Sequence, residues 1–158
     1  MSRKIIIFCM TILLLLTCCH TAFATGVDIS KTGSVSVTLV EKEQDQAVAG
    51  AALSVYHVAT VTTDAQGNPL YDYTEAFKQL DIPIDDIALA SKLDGFVSQH
   101  SVPSVKMVTD ANGRAFCDGL ALGLYFVKQT GAVDGFSPCI PFLVTLPAKK
   151  DGGYVYEV

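Results

Sequence analysis

The stretch TDANGRAFCDGLALGLYFV, residues 109–127, narrows the choice of fold more than any other. Asp110 is followed three positions later by Gly113, the pattern of a tight turn in which an aspartate bonds its own backbone and a glycine takes positive φ. Arg114–Cys117 then reads as a short strand, Gly119–Gly123 as a second connection, and Leu124–Gln129 as an alternating strand. The turn signal recurs as TDAQGN at 63–68. Turns this close together leave room only for short β-strands. The glycines do not make a phosphate loop, because no lysine-serine or lysine-threonine pair follows and a strand pattern stands where a helix would begin. Neither loop fits the calcium template of alternating oxygen ligands closed by a glutamate.

The rest of the chain extends the pattern. Ser34–Val40 alternates, with Val35, Val37 and Leu39 on one face, and 48–59 is a second strand region with Leu53, Val55 and His57 on one face. Residues 60–70 read as a turn-rich connection. In 73–80, Tyr73, Phe77 and Leu80 fall at helical spacing. After Pro83, residues 84–99 carry a broad apolar stripe, with Asp85 and Asp86 expected in a helical first turn where the dipole favours them. Further strands are expected at 105–108, at 137–146 with prolines near its ends, and at 154–158 after an Asp-Gly-Gly turn. The sum is a mainly β chain, a sandwich of about seven strands with a short helical insertion near residues 73–99.

The N-terminus is set apart from this. Arg3 and Lys4 precede an apolar run, Ile5–Leu16, and Ala22-Phe23-Ala24 offers small residues before a cut. That is the three-part order of a secretory signal, and the run is shorter than the roughly 20 residues of a spanning helix. Residues 1–24 are therefore expected to be a cleaved signal peptide, 25–33 a flexible lead, and 34–158 one domain. A lipid anchor on Cys18 or Cys19 is the competing reading, poorly served by Thr17. Cleavage removes two of the 11 basic residues and none of the 16 acidic ones, for a net charge of 9 − 16 = −7. An acidic chain argues against nucleic acid and anionic membranes as partners. No second long apolar segment follows, so no membrane insertion is expected after signal removal.

Cys117 and Cys139 are the cysteines that remain. In an exported protein they are expected to form one disulfide, adding about 3 kcal/mol in the chain-entropy picture; two buried free thiols are the alternative. As a nucleophile Cys117 lacks a nearby histidine, its only local basic neighbour being Arg114. There is no G-x-S-x-G elbow. His57 and His100 stand alone, short of the convergent ligands that zinc needs. No catalytic residue, metal or cofactor is expected.

With the strands placed, the sequence resembles a known family. SVSVTLVEKEQDQAVAGAALSVYHVA is similar to the opening of the Cna-B-type, prealbumin-like domains of Gram-positive pilins and surface adhesins, with Gly50, Ala51, Leu53, Val55 and Tyr56 on their pattern. TDANGRAFCDGLALGLYFVKQ resembles their T-D-x-x-G…G-L-x-x-G-x-Y-x-V run, and SPCIPFLVTLP their P-F-L-V-x-x-P strand. The helical insert with EAF and IDDI is similar to a segment that pilin-type members carry. The resemblance covers most of residues 33–158. It implies an Ig-like (prealbumin-like) β-sandwich outside the cell, secreted or at the cell surface, without catalytic turnover. Its partners would be other surface or pilin subunits. A stand-alone secreted binder, recognising a host protein or glycan through its loops or insert, is the alternative.

Many domains of this family carry an internal Lys–Asn amide bond formed beside a carboxylic acid. Here the lysine position falls on Leu39 or Val40, the acid position falls on Gln129, and no asparagine follows Asn112. A glutamine can hydrogen bond but cannot shuttle a proton as an acid does. No intramolecular isopeptide bond is therefore expected, and the Cys117–Cys139 link would stand in for it. The resemblance also implies that a wall-anchored pilin carries a sorting signal past its last strand. LPAKK at 146–150 is not one, since it lacks the threonine-glycine pair.

Overall fold

The computed structural model describes residues 26–158, so the expected signal segment lies outside the described residues. The strands are β1 (Gly33–Thr38), β2 (Val40–Glu41), β3 (Gln46–Ala47), β4 (Ala52–Thr63), β5 (Pro69–Tyr73), β6 (Val105–Val108), β7 (Arg114–Leu120), β8 (Gly123–Gln129), β9 (Phe142–Leu146), β10 (Ala148–Lys150) and β11 (Gly153–Val155). One helix, α1 (Leu89–Gln99), falls between β5 and β6.

β4 organises the larger sheet. One edge pairs antiparallel with β8, from Leu53↔Gln129 to Thr60↔Gly123, and β8 in turn pairs with β9. The other edge is shared: β6 takes its first half and β5 its second. β1 and β7 form the facing sheet. Between the sheets lies a core of Val35, Val37, Ala115 and Cys117 against Leu53, Val55, Tyr125 and Val127, closed by Leu120, Leu122 and Leu146.

A second core covers the outer face of the larger sheet. Tyr56, Val58, Leu124 and Phe126 point there and are sealed by Phe77 and by Leu89 and Leu93 of α1. β4 and β8 are thus buried on both faces. This explains why LYFV is apolar at every position although the strand alternates, since a strand covered on both sides has no solvent face to mark. The result is a sandwich with a helical layer on one side.

From residue 60 to residue 99 the structure differs from expectation in three ways. Residues 74–80 form no helix: Phe77 N–H donates to Thr74 O and Leu80 N–H to Phe77 O, successive tight turns that still bury Phe77. α1 begins at Leu89, so Asp85 and Asp86 precede its first turn and do not lie in it. The cause is local. Asp86 Oδ1 accepts the Ala88 N–H at 2.7 Å, and the Asp86 carbonyl accepts from Leu89 at 3.0 Å. An aspartate that bonds nearby backbone offers an alternative to the helix. Finally, 60–70 is not only a connection. β4 runs on to Thr63 and returns as β5, with Pro69 as its first residue, a position that asks for no ladder donor.

Toward both ends of the described residues the structure also departs from expectation. The strand expected over 137–146 is regular only at β9. The Asp151-Gly152 turn holds positive φ at both residues (50° and 82°), the hairpin geometry that joins β10 to β11. Tyr156–Val158 then leaves that hairpin and runs parallel to β1 through a Ser34↔Glu157 bridge. The lead at 25–33, expected to be flexible, is packed where it is described. Val27 is buried in the sandwich core and its N–H donates to Gly67 O, and Gly33 already belongs to β1.

Candidate functional site

Three of the four residues singled out from the sequence converge. Leu39, Gln129 and Cys139 line one cleft of about 660 Å³ between the β2–β3 hairpin and residues 135–139, with Val40 and Phe136 alongside. Leu39 is placed by backbone bonds: its N–H donates to Gly113 O at 2.9 Å, and its carbonyl accepts from Val48 at 3.0 Å. Gly113 must be glycine here, since its φ is +72° and a Cβ would strike the Leu39 carbonyl. The Leu39 side chain packs on the sandwich core.

Gln129 ends β8, and its amide is fully engaged. Nε2 donates to Gly131 O at 2.8 Å, and Oε1 accepts the Cys139 N–H at 2.9 Å. One side chain thereby ties the start and the end of the 131–139 segment to the sheet. An aliphatic group at 39 supplies no amine, and a neutral amide at 129 supplies no titrating proton. The cleft can pack and hydrogen bond, but these residues cannot form an amide cross-link.

Cys117 lies apart from the cleft lining, on β7 opposite Val35 and buried in the sandwich core; Cys139 packs against the same core. Both are free thiols. Burial pushes both thiols up from their ordinary value, so neither is poised as a thiolate nucleophile.

The two TDAxG loops are turns, as their sequences indicate. Asp110 Oδ1 accepts from Asn112 and Arg114 at 2.8 and 2.9 Å. Asp64 Oδ1 accepts from Gln66 and Asn68 at 2.9 and 2.8 Å, and its Oδ2 accepts from Asn68 Nδ2. These bonds, led by the Asn68 side chain, hold the Asp64 carboxyl below its ordinary value. The carboxylates are occupied by their own loops. Among the described residues, no group of three or more His, Cys, Asp and Glu side chains gathers in a way that could hold a metal.

Two arrangements escaped sequence reasoning. His57 stacks on Tyr125 across the β4–β8 pair, with ring centroids 4.8 Å apart and planes 14° from parallel. Its Nε2 is buried without a hydrogen-bond partner, and burial holds its pKa below the usual 6.5. The Tyr125 phenol donates to Ala121 O at 2.6 Å and is pushed up to about 12, first by burial and then by Cys117. The alternation placed His57 on the core-facing side but could not show which residue of β8 opposes it. The second arrangement is Lys128, whose Nζ reaches Asp94 Oδ1 at 2.6 Å and Ser98 Oγ at 2.9 Å, latching α1 to β8. No sequence signal joins positions so far apart.

No family model and no curated protein matches the chain. Solved structures do. The full-length major pilin SpaD from Corynebacterium diphtheriae aligns with a TM-score of 0.55 at 22% identity, over 85% of this chain and 30% of that one. The fimbrial protein FimP from Actinomyces oris aligns with a TM-score of 0.52 at 17% identity, over 84% of this chain and 29% of that one. The chain thus spans less than a third of either protein. Its architecture is a pilin-like β-sandwich domain with a small helical insertion.

Proposed function

We propose that this chain is a non-enzymatic structural module of an extracellular fibre or stalk on a Gram-positive cell, exported by residues 1–24 and working next to other subunits of its kind. One observation carries the reading: a sandwich with its helical insertion matches one domain's worth of two pilins over most of this chain. The cleft supports it. Gln129, at the position of the resembled family's acid, is engaged in holding Gly131 and Cys139.

Fractionation of the source cells with an antibody against residues 26–158 tests the proposal. The expected result is signal in the wall fraction at masses far above the 16.8 kDa of the chain, surviving boiling in detergent. Recovery solely as a free monomer in the medium would contradict it, and would favour the stand-alone binder of a host protein or glycan.

A further inference from the structure

The start of β1 and the last residues of the chain, Tyr156–Val158, meet in parallel. Ser34 N–H donates to Tyr156 O at 2.8 Å, Val158 N–H to Ser34 O at 3.0 Å, and Ser36 N–H to Val158 O at 2.6 Å. The contact is close: a Cβ on Gly33 would strike the Tyr156 carbonyl and the Leu146 side chain. The approach to β1 is fastened to the same segment. Asp28 N–H donates to the Tyr156 hydroxyl at 2.8 Å, and Lys31 Nζ sits 4.7 Å from the centre of the Tyr156 ring. Tyr154 and Tyr156 pack against the sandwich core.

Parallel pairing decides how such a ladder meets force. The chain enters β1 at Gly33 and leaves at Val158, and the two strands run the same way. Tension through the two ends therefore pulls them past each other along their length, and the bonds are strained together. Tension applied between Val158 and the far end of β1 acts at one end of the ladder, and the bonds open one after another. We infer that the domain is mechanically anisotropic, with the β1–Tyr156–Val158 ladder acting as a non-covalent shear clamp between the chain ends. The clamp itself follows from topology. It rests on the proposed function only for the idea that end-to-end tension is the working load.

Single-molecule pulling on the whole exported chain tests this without altering the clamp. In one geometry the handles extend from residue 26 and from Val158. In the other, the first handle moves to the side chain of Lys42, exposed in the β2–β3 turn just beyond β1, and the second stays on Val158. At one loading rate, the end-to-end geometry is expected to rupture at a force up to about threefold higher, since the ladder's bonds share the load instead of failing in turn. The Lys42 geometry is expected to show an early small step as the C-terminal segment peels away. Equal rupture forces would overturn the inference, as would early peeling of Tyr156–Val158 in the end-to-end geometry. The result is independent of where the protein resides, so a failed surface-fractionation experiment and a failed clamp remain distinguishable.

Discussion

At the scale of single residues, His57 makes the sharpest prediction. It is half-buried, stacked on Tyr125, and its folded pKa lies below the usual 6.5 because burial disfavours the charged ring. The unfolded chain therefore binds a proton more readily than the folded one as pH falls. Stability from neutral His57 is complete above about pH 6.5 and declines as pH drops toward the folded pKa. Urea midpoints measured from pH 7.5 downward should fall in this window. A His57→Phe variant, which keeps the stack, should flatten the curve there. The carboxyls of Asp28 and Asp64, held below 3.8 by hydrogen bonds, add acid sensitivity only at lower pH. An unchanged slope in the variant would remove His57 from the account.

The cysteines and Gln129 give a second residue-scale prediction. We propose that Cys117 and Cys139, free thiols packed against one core, are oxidised to a disulfide in the exported protein. The intact mass should then be lower by two hydrogens and rise again on reduction. It should show no loss of ammonia, because Gln129 keeps its amide and Leu39 offers no amine. An ammonia loss would contradict this reading of the cleft.

At the scale of elements, α1 and its latch carry a sizeable share of the second core. Leu93, on the inner face of α1, is fully buried, so Leu93→Ala should cost about 2–5 kcal/mol in denaturant titrations. Ile87, fully exposed just ahead of the helix, should tolerate alanine within about 0.5 kcal/mol. Similar costs at both positions would mean that the helical layer does not seal the sheet. The elements were unevenly legible in the sequence. β1, β4 and β8 were plain because β-branched and aromatic residues alternate between turn signals. β5 was not, because Pro69 and the TDAQGN turn outweighed the short alternation of Tyr71 and Tyr73. The helix start is not legible in the sequence, because an aspartate ahead of a helix and one inside its first turn look alike until the Asp86–Ala88 bond is in place.

At the scale of the whole molecule, the sequence showed a sandwich with a helical insertion but not which strands meet. The pairing of β1 with the last residues, the sharing of one β4 edge by β5 and β6, and the gathering of Leu39, Gln129 and Cys139 are long-range facts. Local periodicity carries no information about them. Those pairings tie β1 to the last residues and set Gln129 and Cys139 together at the cleft. The proposed role is that of a structural module in an extracellular fibre or stalk. Immunogold electron microscopy of intact source cells, with antibody against residues 26–158, tests it most directly. The expected result is gold at intervals along filaments that leave the cell. Filaments without label, with the protein confined to the medium, would contradict it.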